Sequence, residues 1–199
     1  MGISERKQRQ LEEVRSAILV QSWQIIEEEG WEALSIRRIA EAIEYSTPVV
    51  YKHFESKEAI RSAFSKEGYA LLADWLAAAK LEQDRPTDQL MALSRAYWAF
   101  AQEHPKHYQI MYGLGIPTCD AVREAQEIRL VSDIFHQTIE AAIRESKQPG
   151  IDPHLKTMTF WSILHGLVAM GMISSPVDPQ KNKLILEDAT AGFVKALLY

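Results

Sequence analysis

The sequence predicts an all-α fold of about nine helices. Three observations carry this. Nearly every segment spaces its apolar residues at helical period, no run of β-branched residues alternates at period two for long, and prolines and glycines stand where the helical patterns stop.

Leu11, Val14, Ala17, Ile18, Ile25 and Ile26 mark one face of a long first helix, which Gly30 ends. Glu27, Glu28 and Glu29 lie against the negative end of its dipole, where solvation alone is expected to hold them. Ser35 is expected to cap a short second helix whose Ile36, Ile39, Ala40 and Ile43 share one face, with Arg37, Arg38 and Glu41 on the other. After Glu44 and Tyr45, Ser46 can cap a third helix from Thr47 to Phe54, with Pro48 tolerated in its first turn. Ser56 then caps a fourth helix that starts at Lys57, runs through Tyr69, Leu72 and Leu76, and stops before Pro86. Helical patterns follow at 87–103, 106–113, 121–147, 154–174 and 179–198, separated by Pro105, Pro117, Pro149 with Gly150, and Pro176. The second and third helices are each about two turns long, too short to persist alone in water. They must be held by packing on each other and on their neighbours, which is the helix-turn-helix arrangement.

Composition narrows the function. A chain of 199 residues, 47% of them hydrophobic, can bury a sizeable core. Its net charge of -5 supplies no global positive field, so a nucleic-acid site must be a local patch. The single Cys119 excludes an internal disulfide and fits a reducing compartment, read as the cytoplasm. Residues 1–10 are polar and lack a signal-peptide core, and the apolar stretch 158–173 is shorter than a bilayer span, so no membrane partner is expected.

The third helix provides the candidate patch. At 100° per residue Val50 and Phe54 point together toward a core, leaving Pro48, Val49, Tyr51 and Lys52 on the flanks and outer face. Such a face suits DNA: apolar groups meet thymine methyls, while Tyr and Lys reach phosphates. Arg37, Arg38, Lys52, His53 and Lys57 cluster in the same segment, and Arg6, Lys7 and Arg9 precede the first helix. The helix N-termini at Ser35, Ser46 and Ser56 add amides that phosphates can bind.

The run Thr47-Pro48-Val49-Val50-Tyr51-Lys52-His53-Phe54, followed by Ser56-Lys57-Glu58 and preceded by Ile39-Ala40 and Gly30-Trp31, resembles the N-terminal signature of the tetracycline-repressor (TetR) family over residues 11–64. The resemblance implies that Thr47, Pro48 and Lys52 face bases, that Tyr51, His53 and Lys57 hold backbone phosphates, and that Arg37 and Arg38 sit near the flanking strand. Where the family's turn usually offers a glycine and a small apolar residue, this chain has Glu44 and Tyr45. A non-glycine residue at positive φ there costs about 1 kcal/mol, which favours another turn conformation. Glu44 would also repel phosphate.

The C-terminal half concentrates aromatic residues. Tyr97, Trp98, Phe100, Tyr108 and Tyr112 fall within sixteen residues together with His104, His107 and Met111, and a later helix adds Phe160, Trp161 and His165. They form either ordinary aromatic core or an apolar pocket with a few polar tips, the usual make-up of a small-molecule site. Trp161, His165 and Gly166 resemble the Trp-x3-His-Gly (WHG) element of one C-terminal subclass of the family, and the segment 107–113 is similar to it as well. Tyr97, Tyr108, Met111, Tyr112, Trp161 and His165 are accordingly the candidate ligand residues.

The eighth pattern, 154–174, is apolar nearly all round, and Leu184, Ile185, Leu186, Ala189, Phe193, Val194 and Leu197 give the last helix a broad apolar face. A two-fold dimer through a four-helix bundle accounts for both, and the resemblance implies the same. The expected division is a helix-turn-helix DNA-binding domain at 1–64 and a ligand-binding and dimerisation domain at 65–199. The expected function is a repressor that leaves a palindromic operator when a small effector binds. The alternative is a helical adaptor with weakened DNA binding that acts through protein partners. An enzyme is not expected, since the chain has no paired Glu-x-x-His elements, phosphate loop, Cys-x-x-Cys pair or nucleophile elbow. No cofactor or metal is expected: Pro105 breaks the register between His104 and His107, and Asp120 disfavours the thiolate of Cys119.

Overall fold

The computed structural model describes residues 3–113, 126–146, 150–173 and 178–198. Among these the chain forms nine α-helices, one turn of 3-10 helix and no strand. Cys119 and the start of the pattern at 121–147 lie outside the described residues.

Helix α1, Ile3–Glu29, ends where the Gly30 amide reaches the Ile26 carbonyl at 3.0 Å and Gly30 turns the chain at φ 87°. It buries Val14, Ile18, Ile25 and Ile26, whereas Leu11 is 42% exposed and does not join the core. Arg6, Lys7 and Arg9 lie within α1 rather than before it. A 3-10 turn, Trp31–Ala33, follows and buries Trp31, an element that the helical period did not reveal.

Helix α2, Ile36–Ala42, starts at Ser35, whose Oγ accepts the Arg38 amide at 3.2 Å. It ends on a Schellman motif: the Tyr45 amide donates to the Ala40 carbonyl at 2.9 Å and the Glu44 amide to Glu41 at 3.2 Å. That motif requires a left-handed residue, and Glu44 adopts it with φ 59°. The turn thus keeps its ordinary geometry despite lacking glycine, which corrects the expectation of another conformation. Left-handed backbone costs a residue with a Cβ about 1–2 kcal/mol, and glycine loses about 0.5–1 kcal/mol more entropy on folding. Glu44→Gly is therefore expected to raise stability by about 0.5–1 kcal/mol, read as a higher urea midpoint at unchanged slope; a lower midpoint would refute the strain.

Helix α3, Thr47–Tyr51, is three residues shorter than expected. The amides of His53 and Phe54 both bond the Val50 carbonyl at 3.0 Å, which tightens the chain out of the helix so that Phe54 enters the core and Ser56 can cap the next element. Ser46 offers its backbone carbonyl to the Val49 amide at 2.9 Å instead of capping through its side chain.

Helix α4, Lys57–Leu81, begins at Ser56, whose Oγ accepts the Ala59 amide at 3.1 Å. Then come α5 (Pro86–Glu103), α6 (Pro105–Tyr112), α7 (Gln126–Glu145), α8 (Pro153–Ile173) and α9 (Pro179–Leu198). The prolines that open α5 and α6 sit in first turns, where no amide bond is lost.

Two cores result. The head core gathers Ile18, Ile26, Leu34, Ile39, Val50, Phe54, Ile60 and Phe64, and the body core gathers Tyr69, Leu72, Leu76, Leu90, Tyr97, Phe100, Phe135 and Phe160. Helix α4 passes from one to the other between Phe64 and Tyr69. Ile110 of α6, 1% exposed, belongs to the head core, so the body reaches into the head.

Candidate nucleic-acid interface and aromatic site

Helices α2 and α3 pack on each other, with Ile39, Ala40 and Val50 buried beneath them. Because α3 commits Val50 and Phe54 inward, Tyr51 is left 53% exposed and Pro48 and Lys52 face outward, while Thr47 and His53 are half-buried. Ser46 is exposed at the start of α3. Val49, on the flank of α3, packs partly against the head core.

Arg37, Arg38 and Lys57 are already engaged. Arg38 grips Glu29 through both terminal nitrogens and donates to the Ala33 carbonyl at 3.3 Å, tying the start of α2 to the end of α1. This gives Glu29 the partner that its dipole position lacked, and the Arg38 hydrogen bond holds its carboxyl below the usual range. Arg37 pairs with Glu41 at 2.8 Å along α2, and the Lys57 ammonium lies 4.6 Å above the Trp31 ring. Solvent screens exposed pairs of this kind and leaves them weak, so phosphates can compete for the arginines.

The six candidate ligand residues converge in the body. Tyr97 Oη lies 3.0 Å from both Tyr108 Oη and Tyr112 Oη and accepts Trp161 Nε1 at 3.2 Å. Tyr108 Oη meets His165 Nδ1 at 2.7 Å, and Met111 is buried on the same helix. Burial pushes the Tyr97, Tyr108 and Tyr112 hydroxyls far up and His165 down, so all four stay uncharged near neutrality. Two clefts lie elsewhere. One of about 590 Å3 between α4 and α5 includes Trp75, Ala78, Arg95 and Ala96, and one of about 440 Å3 at the α1–α6 junction includes Trp23, Glu27, His104 and His107.

The residues joining head to body escaped the reading of the sequence. Arg61 and Ser65 each reach the Ile110 carbonyl at 3.5 Å, and Tyr69 donates to the Met111 carbonyl at 3.3 Å. They thereby serve carbonyls at the end of α6 that have no acceptor role left within the helix. Gly68 lies on the same side of α4, where a Cβ would stand 2.6 Å from Met111 Sδ. The signal was present: Arg61, Ser65 and Tyr69 fall at i, i+4 and i+8, a polar stripe on a helix that otherwise buries apolar residues.

His107 of α6 stacks on Trp23 of α1 with centroids 4.1 Å apart, and its Nε2 is buried 3.9 Å from Glu67. Burial, reinforced by His104, lowers its pKa from 6.5 to about 4. The unfolded chain thus binds a proton in that window that the folded chain refuses, so the stability of the neutral stack is complete above pH 6.5 and drains away as pH falls toward 4. His107→Phe, which keeps the stack, is expected to flatten this part of the stability profile by about 1–2 kcal/mol. An unaltered slope in urea titrations across the window would show that His107 does not set it.

Among the described residues no three His, Cys, Asp or Glu side chains converge as a metal site, and no helix is long and apolar enough to cross a membrane. On the outer side of the last helices Leu155, Met158, Met170, Leu184 and Ile185 are 47–67% exposed.

Comparison with known proteins agrees with this arrangement. The profile of bacterial regulatory proteins of the tetR family matches residues 18–64, and that of the tetracyclin repressor-like C-terminal domain matches residues 90–180. An uncharacterised HTH-type transcriptional regulator of Mycobacterium tuberculosis is 23% identical over 158 residues, covering 79% of this chain and 70% of the relative. A Rhodococcus sp. RHA1 protein of unknown function superposes with a TM-score of 0.74 at 23% identity, over 93% of this chain and 95% of the other. The regulator FadR of Bacillus subtilis, solved in complex with stearoyl-CoA, superposes with a TM-score of 0.67 at 14% identity, over 92% and 97% of the two chains.

Proposed function

Because the chain belongs to the TetR family of DNA-binding transcriptional regulators, we propose that it is a homodimeric cytoplasmic repressor, released from a palindromic operator by a small apolar or aromatic ligand. The observation that carries this reading is the polar strut between α4 and α6. Helix α4 starts beside the DNA face and ends in the body, and its Arg61, Ser65 and Tyr69 hold the end of α6. Helix α6 in turn carries Tyr108, Met111 and Tyr112. A ligand entering among Tyr97, Tyr108, Met111, Tyr112, Trp161 and His165 displaces α6, α4 follows, and the DNA heads lose their spacing. The presence of Trp161, His165 and Gly166 at this site supports the WHG subclass.

In the head, Thr47, Pro48 and Lys52 read bases, Ser46, Tyr51, His53 and Lys57 hold phosphates, and Arg37 and Arg38 exchange their glutamates for the flanking strand. Residues 1–64 act as the DNA-binding domain and 65–199 as the ligand and dimer domain. The dimer forms through α8 and α9: α8 buries Phe160, Leu164 and Val168 in its own subunit, and the outward Leu155, Met158, Met170, Leu184 and Ile185 seek a second cover.

Selection from a random duplex library at near-physiological salt tests this reading. Enrichment of one inverted repeat is expected, since a two-fold dimer presents two identical heads. Absence of enrichment from folded protein would favour the adaptor, with Glu44 and the glutamate-bound arginines as the reasons that DNA binding was lost.

A further inference from the structure

A phenol hydroxyl has one hydrogen to give, an indole N–H only donates, and a neutral imidazole gives one and takes one. These limits set the direction of the chain of hydrogen bonds through the aromatic site. Trp161 donates to Tyr97, and Tyr97 donates to Tyr112. With the Tyr97 hydrogen spent, its contact with Tyr108 is donated by Tyr108. With the Tyr108 hydrogen spent in turn, the contact with His165 is donated by Nδ1–H. Tyr69, whose ring meets that of Tyr112 edge-on with centroids 5.7 Å apart, donates to the Met111 carbonyl at 3.3 Å. Among the described residues, then, the hydrogens of Trp161 Nε1, Tyr97, Tyr108 and His165 Nδ1 each have an acceptor inside the protein, and a neutral His165 keeps an unshared lone pair on Nε2. The ring is half-buried, with the Tyr112 and Tyr108 rings 4.4 and 5.8 Å away, and nothing lies within 4 Å of where a side chain at the neighbouring Gly166 would start.

The geometry points to an uncharged effector that presents a hydroxyl or N–H donor to His165 Nε2 and lays an apolar body against the Tyr112 and Trp161 rings. This rests on the reading of the aromatic site as the effector site. An ether or ketone of the same shape sets acceptor against acceptor and leaves both unpaired, a loss of about 10-fold or more in affinity. A carboxylate adds a charge that a neutral ring does not offset.

Two measurements test it. Nitrogen-15 NMR of histidine-labelled protein at pH 7.5, with His165 assigned by signal loss in His165→Phe and independently by its contacts with the Tyr108 and Tyr112 rings, is expected to show hydrogen on Nδ1 and none on Nε2; hydrogen on Nε2 would overturn the proposal even if the variant misfolds. In calorimetry, 2-naphthol is expected to bind at least about 10-fold tighter than 2-methoxynaphthalene, 2-acetylnaphthalene or 2-naphthoate, with the preference lost in His165→Phe. Equal or weaker binding of the naphthol, or none, would also overturn it. A naphthol that binds with this preference yet leaves operator affinity unchanged would end the ligand-switch reading and leave the donor requirement standing.

Discussion

Ile110→Ala is expected to destabilise the protein by about 2–5 kcal/mol, the cost of emptying a fully packed aliphatic site. Residue 110 is 1% exposed and fills the core of a head to which it does not belong in sequence. Its carbonyl also receives Arg61 and Ser65 from α4. The substitution therefore loosens the seat of α6 on the head while leaving the aromatic site and the surface of α3 chemically intact. The variant should unfold at lower urea with the head losing protection in hydrogen exchange at the same time as α6, because both close over one side chain. A loss under about 1 kcal/mol would mean that the head core closes without α6, and the strut between ligand site and DNA face would lose its mechanical basis.

The double variant Tyr51→Ala with Lys57→Ala is expected to weaken operator binding by about 100-fold, each phosphate contact contributing about 1–2 kcal/mol. Tyr51 is 53% exposed and contributes little to the head core. Lys57 loses a stacking contact with Trp31, which costs about 0.5–1 kcal/mol, so the variant remains folded. Lys57 carries charge, and its removal should lower the salt dependence of log affinity by about one unit of slope without altering which sequence is preferred. Unchanged affinity would place the DNA face elsewhere.

The helical elements were legible because they are set locally. Ser35 and Ser56 accept the amides three residues on, as their positions before apolar-periodic runs predict. Pro86, Pro105 and Pro179, which stand at boundaries of the helical patterns, open α5, α6 and α9. Where local patterns misled, a distant partner intervened. Third-helix periodicity runs to Phe54, but the core draws Phe54 inward and α3 ends at Tyr51. Leu11 fits the apolar face of α1, yet it stays 42% exposed. Glu29 stood against the helix dipole without a reason until Arg38, nine residues on, closed the gap.

The candidate site was half legible. The aromatic residues were named from their concentration in two segments together with the resemblance of Trp161, His165, Gly166 and the segment 107–113 to the WHG subclass. Their bonding pattern was not, since Trp161 and Tyr97 are 64 residues apart and Tyr108 and His165 are 57 apart. By itself the sequence determined the periods, the caps at Ser35 and Ser56 and the outward side of α3, all properties of neighbours along the chain, whereas the left-handed turn at Glu44 was set by the packing of α2 on α3. Only the tertiary structure decided that α6 enters the head core, that Arg61, Ser65 and Tyr69 hold its last carbonyls, and that Tyr108 meets Nδ1 of His165. A buried polar group must find a partner wherever packing places one, and that choice depends on which helices become neighbours in space.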